Sequence, residues 1–248
     1  MKTAATRDTP EEVRTRLRAA RSVFVLTGAG VSAESGVPTF RGGGGAAVWK
    51  GMPFYEISSA GMVERDLPEV WAWFDYRCGV LKTLRPNTAH ATLARWQDRF
   101  AEFTLATQNV DGLHRAAGTR EVLELHGNVW IARCMSCRAR ADVRELNDEE
   151  RPPACPDCGS PMRPDVVLFG EVLPAGVFER AAARAAACEV CLIVGTSALV
   201  YPAAGLPELA KQMGAFLVEV NPERTHLSAL CDVSIKGRAG EILPRLDD

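Results

Sequence analysis

The chain is organised around one stretch, Thr27-Gly28-Ala29-Gly30-Val31-Ser32-Ala33-Glu34-Ser35-Gly36-Val37-Pro38-Thr39-Phe40-Arg41, which follows the apolar run Ser22-Val23-Phe24-Val25-Leu26. The apolar run predicts a buried strand. A strand followed by Gly-x-Gly-x-x-Ala is typical of a dinucleotide site. The first glycine makes a tight turn, the second admits a pyrophosphate close to the backbone, and the small third residue lets a helix begin beside the strand. We therefore expect phosphates to lie over backbone N–H groups here.

The residues that follow differ from those of an ordinary dehydrogenase, where a helix and a second strand deliver an acidic residue about 20 positions on. Pro38 ends any helix within two turns, and Gly42-Gly43-Gly44-Gly45 predicts a loop beside the fixed cation Arg41. This arrangement favours a site that closes over a dinucleotide. A glycine-rich turn that serves structure alone is the alternative.

Two cysteine pairs, Cys134-x-x-Cys137 and Cys155-x-x-Cys158, are separated by residues 138–154. This spacing predicts a tetrahedral four-thiolate zinc site, which is structural because it leaves no open position on the metal. Four free cysteines or a redox pair are the alternatives. Cys188-x-x-Cys191 leads into an apolar run, so we interpret these two thiols, like Cys78 and Cys231, as core residues.

Composition excludes several classes of protein. The chain has 248 residues, of which 47% are hydrophobic, so it can bury a large core. Its 29 basic and 31 acidic residues give no electrostatic indication of nucleic-acid or anionic-membrane binding. No apolar run approaches the roughly 18 to 20 residues that span a bilayer, and residues 1–21 lack the apolar core of a secretion signal. We expect a cytoplasmic monomer without nucleic-acid or membrane partners.

Strands and helices are predicted to alternate along most of the chain. A helix should begin with Thr9 as its N-cap and end near Arg21, and another should cover residues 90–100. Further strands are predicted at residues 103–107, 121–125, 190–195, 216–221 and 232–235. Such alternation predicts an α/β fold with a Rossmann-like, doubly wound parallel sheet.

Two insertions into this sheet are predicted to form a smaller domain. Residues 42–84 are aromatic and helical in pattern with no evident strand, and residues 130–163 contain the cysteine pairs of a zinc ribbon. The dinucleotide-binding domain should then comprise residues 1–41, 85–129 and 164–248.

The sequence Gly-Ala-Gly-Val-Ser-Ala-Glu-Ser-Gly-Val-Pro-Thr-Phe-Arg at residues 28–41 resembles the signature of the sirtuins, the NAD-dependent protein lysine deacylases. Gln108-Asn109-Val110-Asp111 resembles the sirtuin Gln-Asn-Ile-Asp loop, and His126 matches the catalytic histidine of the family. The resemblance extends over residues 21–243. We leave His90, His114 and His226 as structural residues.

The resemblance implies NAD as a consumed co-substrate and a structural Zn²⁺, one per chain. Asn109 and Asp111 would hold the nicotinamide end, and Ala239 would line the adenine. The implied NAD-binding residues are Gly28, Ala29, Gly30, Ser32, Ala33, Glu34, Phe40, Arg41, Gln108, Asn109, Val110, Asp111, Gly195, Thr196, Ser197, Asn221, Pro222, Glu223 and Ala239.

Residues 163–171 form an extended apolar run without an evident partner in the sheet, which favours peptide binding by strand addition. An interdomain connector is the alternative. The resemblance implies that the run binds the substrate peptide, with Val167 and Phe169 in an acyl-lysine tunnel and Gly170 and Glu171 beside it.

Acyl preference is implied by the helical insertion. Sirtuins that prefer succinyl or malonyl lysine have Tyr-x-x-Arg where this chain has Phe74-Asp75-Tyr76-Arg77. Tyr76 should lie on another helix face and not replace the missing tyrosine. We expect mainly a deacetylase with weak activity on acidic acyl groups; the alternative is that Arg77 is a solvated surface residue.

The implied reaction begins when the acyl oxygen of a modified lysine attacks the nicotinamide ribose and nicotinamide leaves. His126 would then act as general base on a ribose hydroxyl, giving free lysine and O-acyl-ADP-ribose, with Asn109 as the second catalytic residue and the glycine loop closed over the site. The partners would be acylated-lysine proteins or peptides. Two alternatives stay open: an NAD-dependent protein ADP-ribosyltransferase, and a non-enzymatic NAD sensor whose zinc ribbon reads protein or DNA.

Overall fold

The computed structural model describes residues 10–38, 48–146 and 150–247. Its strands are β1 (Ser22–Thr27), β2 (Val48–Trp49), β3 (Met52–Pro53), β4 (Glu102–Thr107), β5 (Val122–Glu124), β6 (Gly127–Cys134), β7 (Arg140–Asp142), β8 (Met162–Val166), β9 (Val190–Val194), β10 (Phe216–Asn221) and β11 (Val233–Lys236). Its α-helices are α1 (Pro10–Ala19), α2 (Ala29–Ala33), α3 (Phe54–Ile57), α4 (Ala60–Arg65), α5 (Leu67–Lys82), α6 (Thr88–Arg99), α7 (Leu113–Ala116), α8 (Ala175–Ala187), α9 (Leu206–Gln212) and α10 (Ala239–Leu246). Short 3₁₀ helices cover Val143–Glu145, Ala203–Gly205 and His226–Ala229.

The main sheet has six parallel strands in the order β11-β10-β9-β1-β4-β5. The predicted α/β fold with a doubly wound, Rossmann-like sheet is confirmed, and each predicted strand agrees with the observed one to within a residue at either end. Because the chain turns from one half of the sheet to the other between β1 and β9, the crevice at their carboxyl ends is where such a sheet binds its ligand.

Helices cover both faces of this sheet. On one face, α1, α6 and α10 bury Leu17, Trp96 and Leu243 against the strands. On the other, α8 and α9 contribute Ala181 and Ala210. Cys78, Cys188, Cys191 and Cys231 are buried as the sequence predicts. Helix α6 begins earlier than predicted because the Asn87 side chain caps it by accepting the N–H groups of Ala89 and His90.

A second, three-stranded antiparallel sheet in the order β7-β6-β8 carries the cysteine pairs. It extends beyond the predicted ribbon at both ends, since β6 begins at Gly127 and β8 ends at Val166. The prediction that residues 163–171 lack a strand partner is wrong for their first part, because β8 pairs with β6. Because β6 and β8 lie about 30 residues apart in the chain, a local sequence pattern does not reveal their pairing.

The helical insertion also contains a short hairpin of β2 and β3, so the prediction that it has no strand is wrong. This insertion and the zinc-site sheet pack together. The indole N–H of Trp71 in α5 donates to the carbonyl of Met162 in β8 at 2.8 Å, and Arg151 forms a forked ion pair with Asp75. Trp71 is also buried in one hydrophobic cluster with Ala132 and Met162, so the two insertions share a core.

None of the described helices is long and apolar enough to cross a membrane. The predictions for Thr9, for Phe40 and Arg41, and for the four glycines at residues 42–45 lie outside the described residues.

Asp247, just after α10, joins the end of that helix to α6 through hydrogen bonds to its carboxylate. One carboxylate oxygen accepts the Trp96 indole N–H at 2.6 Å and an N–H of Arg99 at 3.1 Å, and the other accepts Arg95 at 2.6 Å. Burial by itself raises the pKa of Asp247, but these hydrogen bonds outweigh it and hold the pKa below the usual range of an aspartate. The carboxylate therefore stabilises the fold above the unfolded-state pKa, and its contribution is lost as the pH falls through the lower folded-state value.

We expect Asp247→Asn to lower the free energy of unfolding by about 1 to 2 kcal/mol near neutral pH, because hydrogen bonds to a charged group are lost at a partly exposed site. The difference from wild type should shrink as the pH falls below about 4, where the unfolded carboxyl is protonated. Urea unfolding at several pH values measures both effects. A pH-independent difference would contradict this role for the charge.

Candidate functional site

The carboxyl ends of β1, β4, β9 and β10 open onto a cavity of about 1450 Å³. The cavity lies between the main sheet and the smaller insertions. Most of the site residues predicted from the sequence line it: Gly28, Ala29, Gly30, Ala33, Glu34, Phe74, Arg77, Gln108, Asn109, Val110, Asp111, His126, Val167, Phe169, Gly170, Glu171, Gly195, Thr196, Ser197, Asn221, Pro222 and Glu223.

Gly28 and Gly30 form a turn that packs directly on the turn after β9. A Cβ atom on Gly28 would lie 2.5 Å from the Thr196 Cβ, and one on Gly30 would lie 2.8 Å from the Gly195 Cα. The Gly30 N–H donates to the Gly195 carbonyl at 2.7 Å. Close packing of two backbone turns therefore requires these glycines, in addition to any approach of a pyrophosphate. Helix α2 is short, as Pro38 predicts.

The loop after β4 is fixed to the glycine turn by amide side chains. The Asn109 side-chain N–H group donates to the Gly28 carbonyl at 3.0 Å and to the Ser32 hydroxyl at 3.1 Å. The Gln108 amide donates to the Thr196 hydroxyl at 2.9 Å. Ser32 is itself fully buried, so it supports the cavity from below and does not line it.

Asp111 is a buried carboxyl on the lining of the cavity. Its side chain accepts the Leu113 N–H at 2.8 Å, and its backbone carbonyl accepts the Trp130 indole N–H at 2.8 Å. Burial raises the pKa of Asp111, while the Leu113 N–H, the Ser32 hydroxyl and the charge of Arg77 act in the opposite direction. A titratable group of raised pKa in a cleft is typical of a functional site.

His126 lies between β5 and β6, with its ring at the cavity wall. Its Nδ1 lies 2.9 Å from the Gln108 carbonyl, which can only accept a hydrogen bond, so Nδ1 carries the proton. In the neutral ring the lone pair is then on Nε2. Burial lowers the pKa of His126, and the hydrogen bond to Gln108 only partly opposes this, so the ring is neutral near pH 7. Its Nε2 can accept a proton.

Two further histidines lie in a buried polar layer beneath the cavity. His90 contacts the Ser32 hydroxyl at 3.3 Å, and His114 contacts the Thr27 hydroxyl at 2.9 Å. The rings are adjacent, with centroids 4.8 Å apart. Burial lowers the pKa of His90 to about 4 and that of His114 to about 3, so both are neutral. Neither lines the cavity, which agrees with a structural role.

Residues 167–170, hereafter the loop segment, form one wall of the cavity. The Val167 N–H donates to the carbonyl of His126 at 2.9 Å, and the Phe169 N–H donates to that of Ser58 at 2.9 Å. The Phe169 ring packs edge to face on Phe54 with centroids 5.6 Å apart, yet the residue is 52% exposed. Glu171 lines the cavity, but its carboxylate is paired with Arg163.

Helix α5 contributes Phe74 and Arg77 to the cavity lining. The Arg77 guanidinium lies 5.5 Å from the centroid of the Trp73 ring. Tyr76 is exposed and lies outside the lining, with its ring 6.1 Å from that of Trp73 and 5.3 Å from that of Trp49. Phe74 and Arg77 therefore share a face that Tyr76 does not.

The structure also changes the list of lining residues. Ala239 is buried in the core, and the neighbouring Arg238 lines the cavity in its place. His226, interpreted from the sequence as structural, lies on the lining as well. Sequence reasoning missed Phe54, Ser58, Leu199, Val200, Tyr201 and Arg224. Leu199, Val200 and Tyr201 could have been predicted, because they are large apolar residues directly after the turn at residues 195–197 that ends a strand. No local pattern in the sequence indicates Phe54 or Ser58.

The four predicted metal-ligand thiols come together. The sulfur atoms of Cys134, Cys137, Cys155 and Cys158 all lie within 4.8 Å of one another. Cys134 and Cys158 are 3.5 Å apart, and Cys137 and Cys155 are 3.6 Å apart. A tetrahedral zinc with bonds of about 2.3 Å needs sulfur separations of about 3.8 Å. The donor set and its size therefore fit a structural zinc ion.

The sequence profile of the Sir2 family matches residues 28–202. NAD-dependent protein deacylase 2 of Pyrobaculum aerophilum is 46% identical over 230 residues, which cover 93% of this chain and 91% of that protein. The NAD-dependent protein deacylase of Thermococcus kodakarensis is 44% identical over 236 residues, with 93% of this chain and 91% of that protein covered.

Two solved structures are similar over nearly the whole chain. A crystal structure of a Sir2 homologue in complex with NAD matches with a TM-score of 0.88 and 39% identity, covering 96% of this chain and 92% of that chain. A Sir2 structure with a p53 peptide and NAD⁺ matches with a TM-score of 0.85 and 29% identity, covering 96% of this chain and 97% of that chain.

We expect Cys158→Ala to release the metal and unfold the β6–β8 sheet, since a structural zinc contributes on the order of 10 kcal/mol to folding its module. Metal analysis should give about one zinc per wild-type chain and none in the variant. Cys78→Ala removes a buried thiol outside the cluster and should keep the zinc. Wild-type protein without zinc would show that the assignment is wrong.

Proposed function

The chain belongs to the Sir2 family and is an NAD-dependent protein deacylase, and we propose that it removes acetyl groups from lysine in preference to acidic acyl groups. NAD is its co-substrate, and its four-cysteine cluster fits a structural zinc site. The single observation that carries the proposed preference is the pairing of Phe74 with Arg77 on one wall of the cavity.

We assign the NAD-binding wall to the glycine turn, the loop after β4 and the turns after β9 and β10. When bound, NAD supplies the ribose carbon to which the acyl oxygen is transferred as nicotinamide leaves. Asn109 links the loop after β4 to the glycine turn, so it keeps these two parts of the wall at a fixed distance. Asp111, beyond it, would face the nicotinamide end.

His126 is proposed as the general base. Its Nδ1–H is committed to the Gln108 carbonyl, which fixes the ring orientation and leaves Nε2 as the accepting atom. The lowered pKa keeps that atom unprotonated at the pH where a base is needed. The role assigned to His126 therefore follows from one hydrogen bond and from burial.

The loop segment is proposed to guide the acyl-lysine toward His126. Its exposed Phe169 ring offers an apolar surface at the mouth, and Val167 is hydrogen-bonded to the backbone of His126 itself. The N–H groups of residues 167–169 already donate within the chain, to His126, Glu171 and Ser58. A substrate peptide beside the segment must therefore donate to its carbonyls or pair with another part of the cleft.

The acyl preference follows from what surrounds Arg77. Burial lowers the pKa of Arg77, and the charge of Asp111 acts to restore it, so the two side chains influence each other electrostatically. A carboxylate at the end of an acyl chain would compete with that existing acid. Phe74 offers only an apolar edge where a tyrosine hydroxyl would donate. Both features favour the neutral acetyl group.

Because burial lowers the pKa of His126 from the ordinary histidine value, we expect kcat/KM for deacetylation to decline, as Nε2 becomes protonated, at a lower pH than a free imidazole of pKa about 6.5 would give. A pH profile with an acetyl-lysine peptide measures this. His126→Ala should lose deacetylation while still binding ADP-ribose. An acid limb centred above 6.5, or an active alanine variant, would contradict the assignment of the base.

We expect Phe74→Tyr to raise kcat/KM for a succinyl-lysine peptide by about ten- to a hundredfold, because a hydrogen bond to a charged group is worth roughly 1.5 to 3 kcal/mol. Arg77→Met should lower desuccinylation more than deacetylation. Tyr76→Phe removes a hydroxyl outside the cavity and should change neither rate. A wild-type enzyme that desuccinylates tenfold better than it deacetylates, or no gain from Phe74→Tyr, would show that this pocket is misassigned.

A further inference from the structure

Arg163, in β8, is a charged side chain that the deacylation mechanism does not use, and the residue is only 7% exposed. Its guanidinium forms a fork with Glu171, with nitrogen–oxygen distances of 2.5 and 3.1 Å. It also donates to the backbone carbonyls of Pro164 at 3.3 Å and Val166 at 3.0 Å. All three guanidinium nitrogens thus have acceptors in residues that flank the loop segment.

Glu171 uses the same carboxylate to fix the backbone of the loop segment. One of its oxygens accepts the Leu168 N–H at 2.9 Å, and the Glu171 N–H donates to the Leu168 carbonyl at 3.0 Å. Gly170 provides the positive φ of 89° that this turn requires. Burial raises the pKa of Glu171, but the bonds from Arg163 and Leu168 outweigh it and keep the group ionised.

The backbone of Arg163 connects it to the zinc site through the β6–β8 ladder. Arg163 is paired with Arg133 in the β6–β8 ladder, and the next pair along it is Met162 with Cys134, a proposed zinc ligand. At the first residue of the loop segment, the Val167 N–H donates to the carbonyl of His126. The ion pair therefore lies on a short path from the metal ligands to the proposed base.

We propose that Arg163 and Glu171 are positioning residues that hold the loop segment in the shape that binds acyl-lysine. The proposal rests on the proposed substrate-binding role of that segment. The hydrogen bonds of the two side chains are made with each other and with the backbone of residues 164–168, so we expect them to shape the loop segment and not to bind NAD. Loss of the pair should therefore weaken peptide binding selectively.

The test is a double-mutant cycle with Arg163→Met, Glu171→Gln and the double variant, assayed with an acetyl-lysine peptide and NAD. We expect each single change to raise KM for the peptide by about tenfold or more, the size expected for losing hydrogen bonds to a charged group. The double variant should match the singles and not multiply their effects, since all three lack the same interaction. KM for NAD should stay within about twofold of wild type.

Amide hydrogen exchange gives a readout that does not depend on catalysis. The Leu168 N–H, which donates to Glu171, should exchange faster in both single variants. Asp247→Asn is the matched control, because it removes a carboxylate whose donors all lie in α6 and not in the loop segment, and it should alter neither the peptide KM nor exchange at Leu168. Glu171→Gln keeps the shape of the side chain, so it remains informative if Arg163→Met does not fold.

Unchanged peptide KM in folded Glu171→Gln, or equal increases in KM for peptide and NAD, would overturn the proposal in favour of a purely stabilising pair. Wild-type protein that deacetylates peptides while Phe169→Ala has no effect on peptide KM would instead contradict the substrate-binding role of the loop segment. The two failures are thus distinguishable.

Discussion

The site depends on one constraint: the turns after β1 and β9 touch, and neither Gly28 nor Gly30 has room for a side chain. Gly28 donates to the Val194 carbonyl at 3.1 Å and Gly30 to the Gly195 carbonyl at 2.7 Å, while ideal Cβ atoms at both glycines would overlap the neighbouring turn. Asn109 then bonds to Gly28 from the next strand. Backbone hydrogen bonds thus join the turns after β1 and β9, and the short Asn109 amide side chain joins the loop after β4 to them, so the cavity wall keeps its shape without relying on long side chains.

The layer under this wall is polar, which is unusual for the interior of a parallel sheet. Buried hydroxyl and imidazole groups are costly unless they are paired, and here Ser32, Thr27 and Thr107 supply partners to each other or to one nitrogen of each neutral histidine. Nδ1 of His114 is buried without a hydrogen-bond partner among the described residues. Burial holds both imidazoles uncharged, so no net charge is placed beneath the cavity by His90 or His114.

Much of the fold and site could be predicted because the signals are local. Each parallel strand is a short apolar run bounded by turn residues, and the zinc ligands are set by the spacing of two cysteine pairs. The missed features depend on distant residues. Strand β6, Gly127–Cys134, mixes polar and apolar residues and is defined by pairing with β7 and β8. The sequence likewise could not reveal that Glu171 forms an ion pair with Arg163, or that Gly30 packs against the turn after β9.

His126 contacts both the NAD-binding wall and the loop segment. Its ring is bonded to the Gln108 carbonyl in the NAD-binding wall, and its own carbonyl accepts the Val167 N–H from the loop segment. The next residue must be glycine, because a Cβ at Gly127 would lie 2.0 Å from the Asp165 carbonyl oxygen. The orientation of the His126 ring is thus set by the loop after β4 of the main sheet, while the position of its backbone is set by β6 and β8 of the zinc-site sheet. A shift of either part would change the distance from the proposed base to one of the two substrates, so a structural metal far from the chemistry can still determine whether the reacting groups meet.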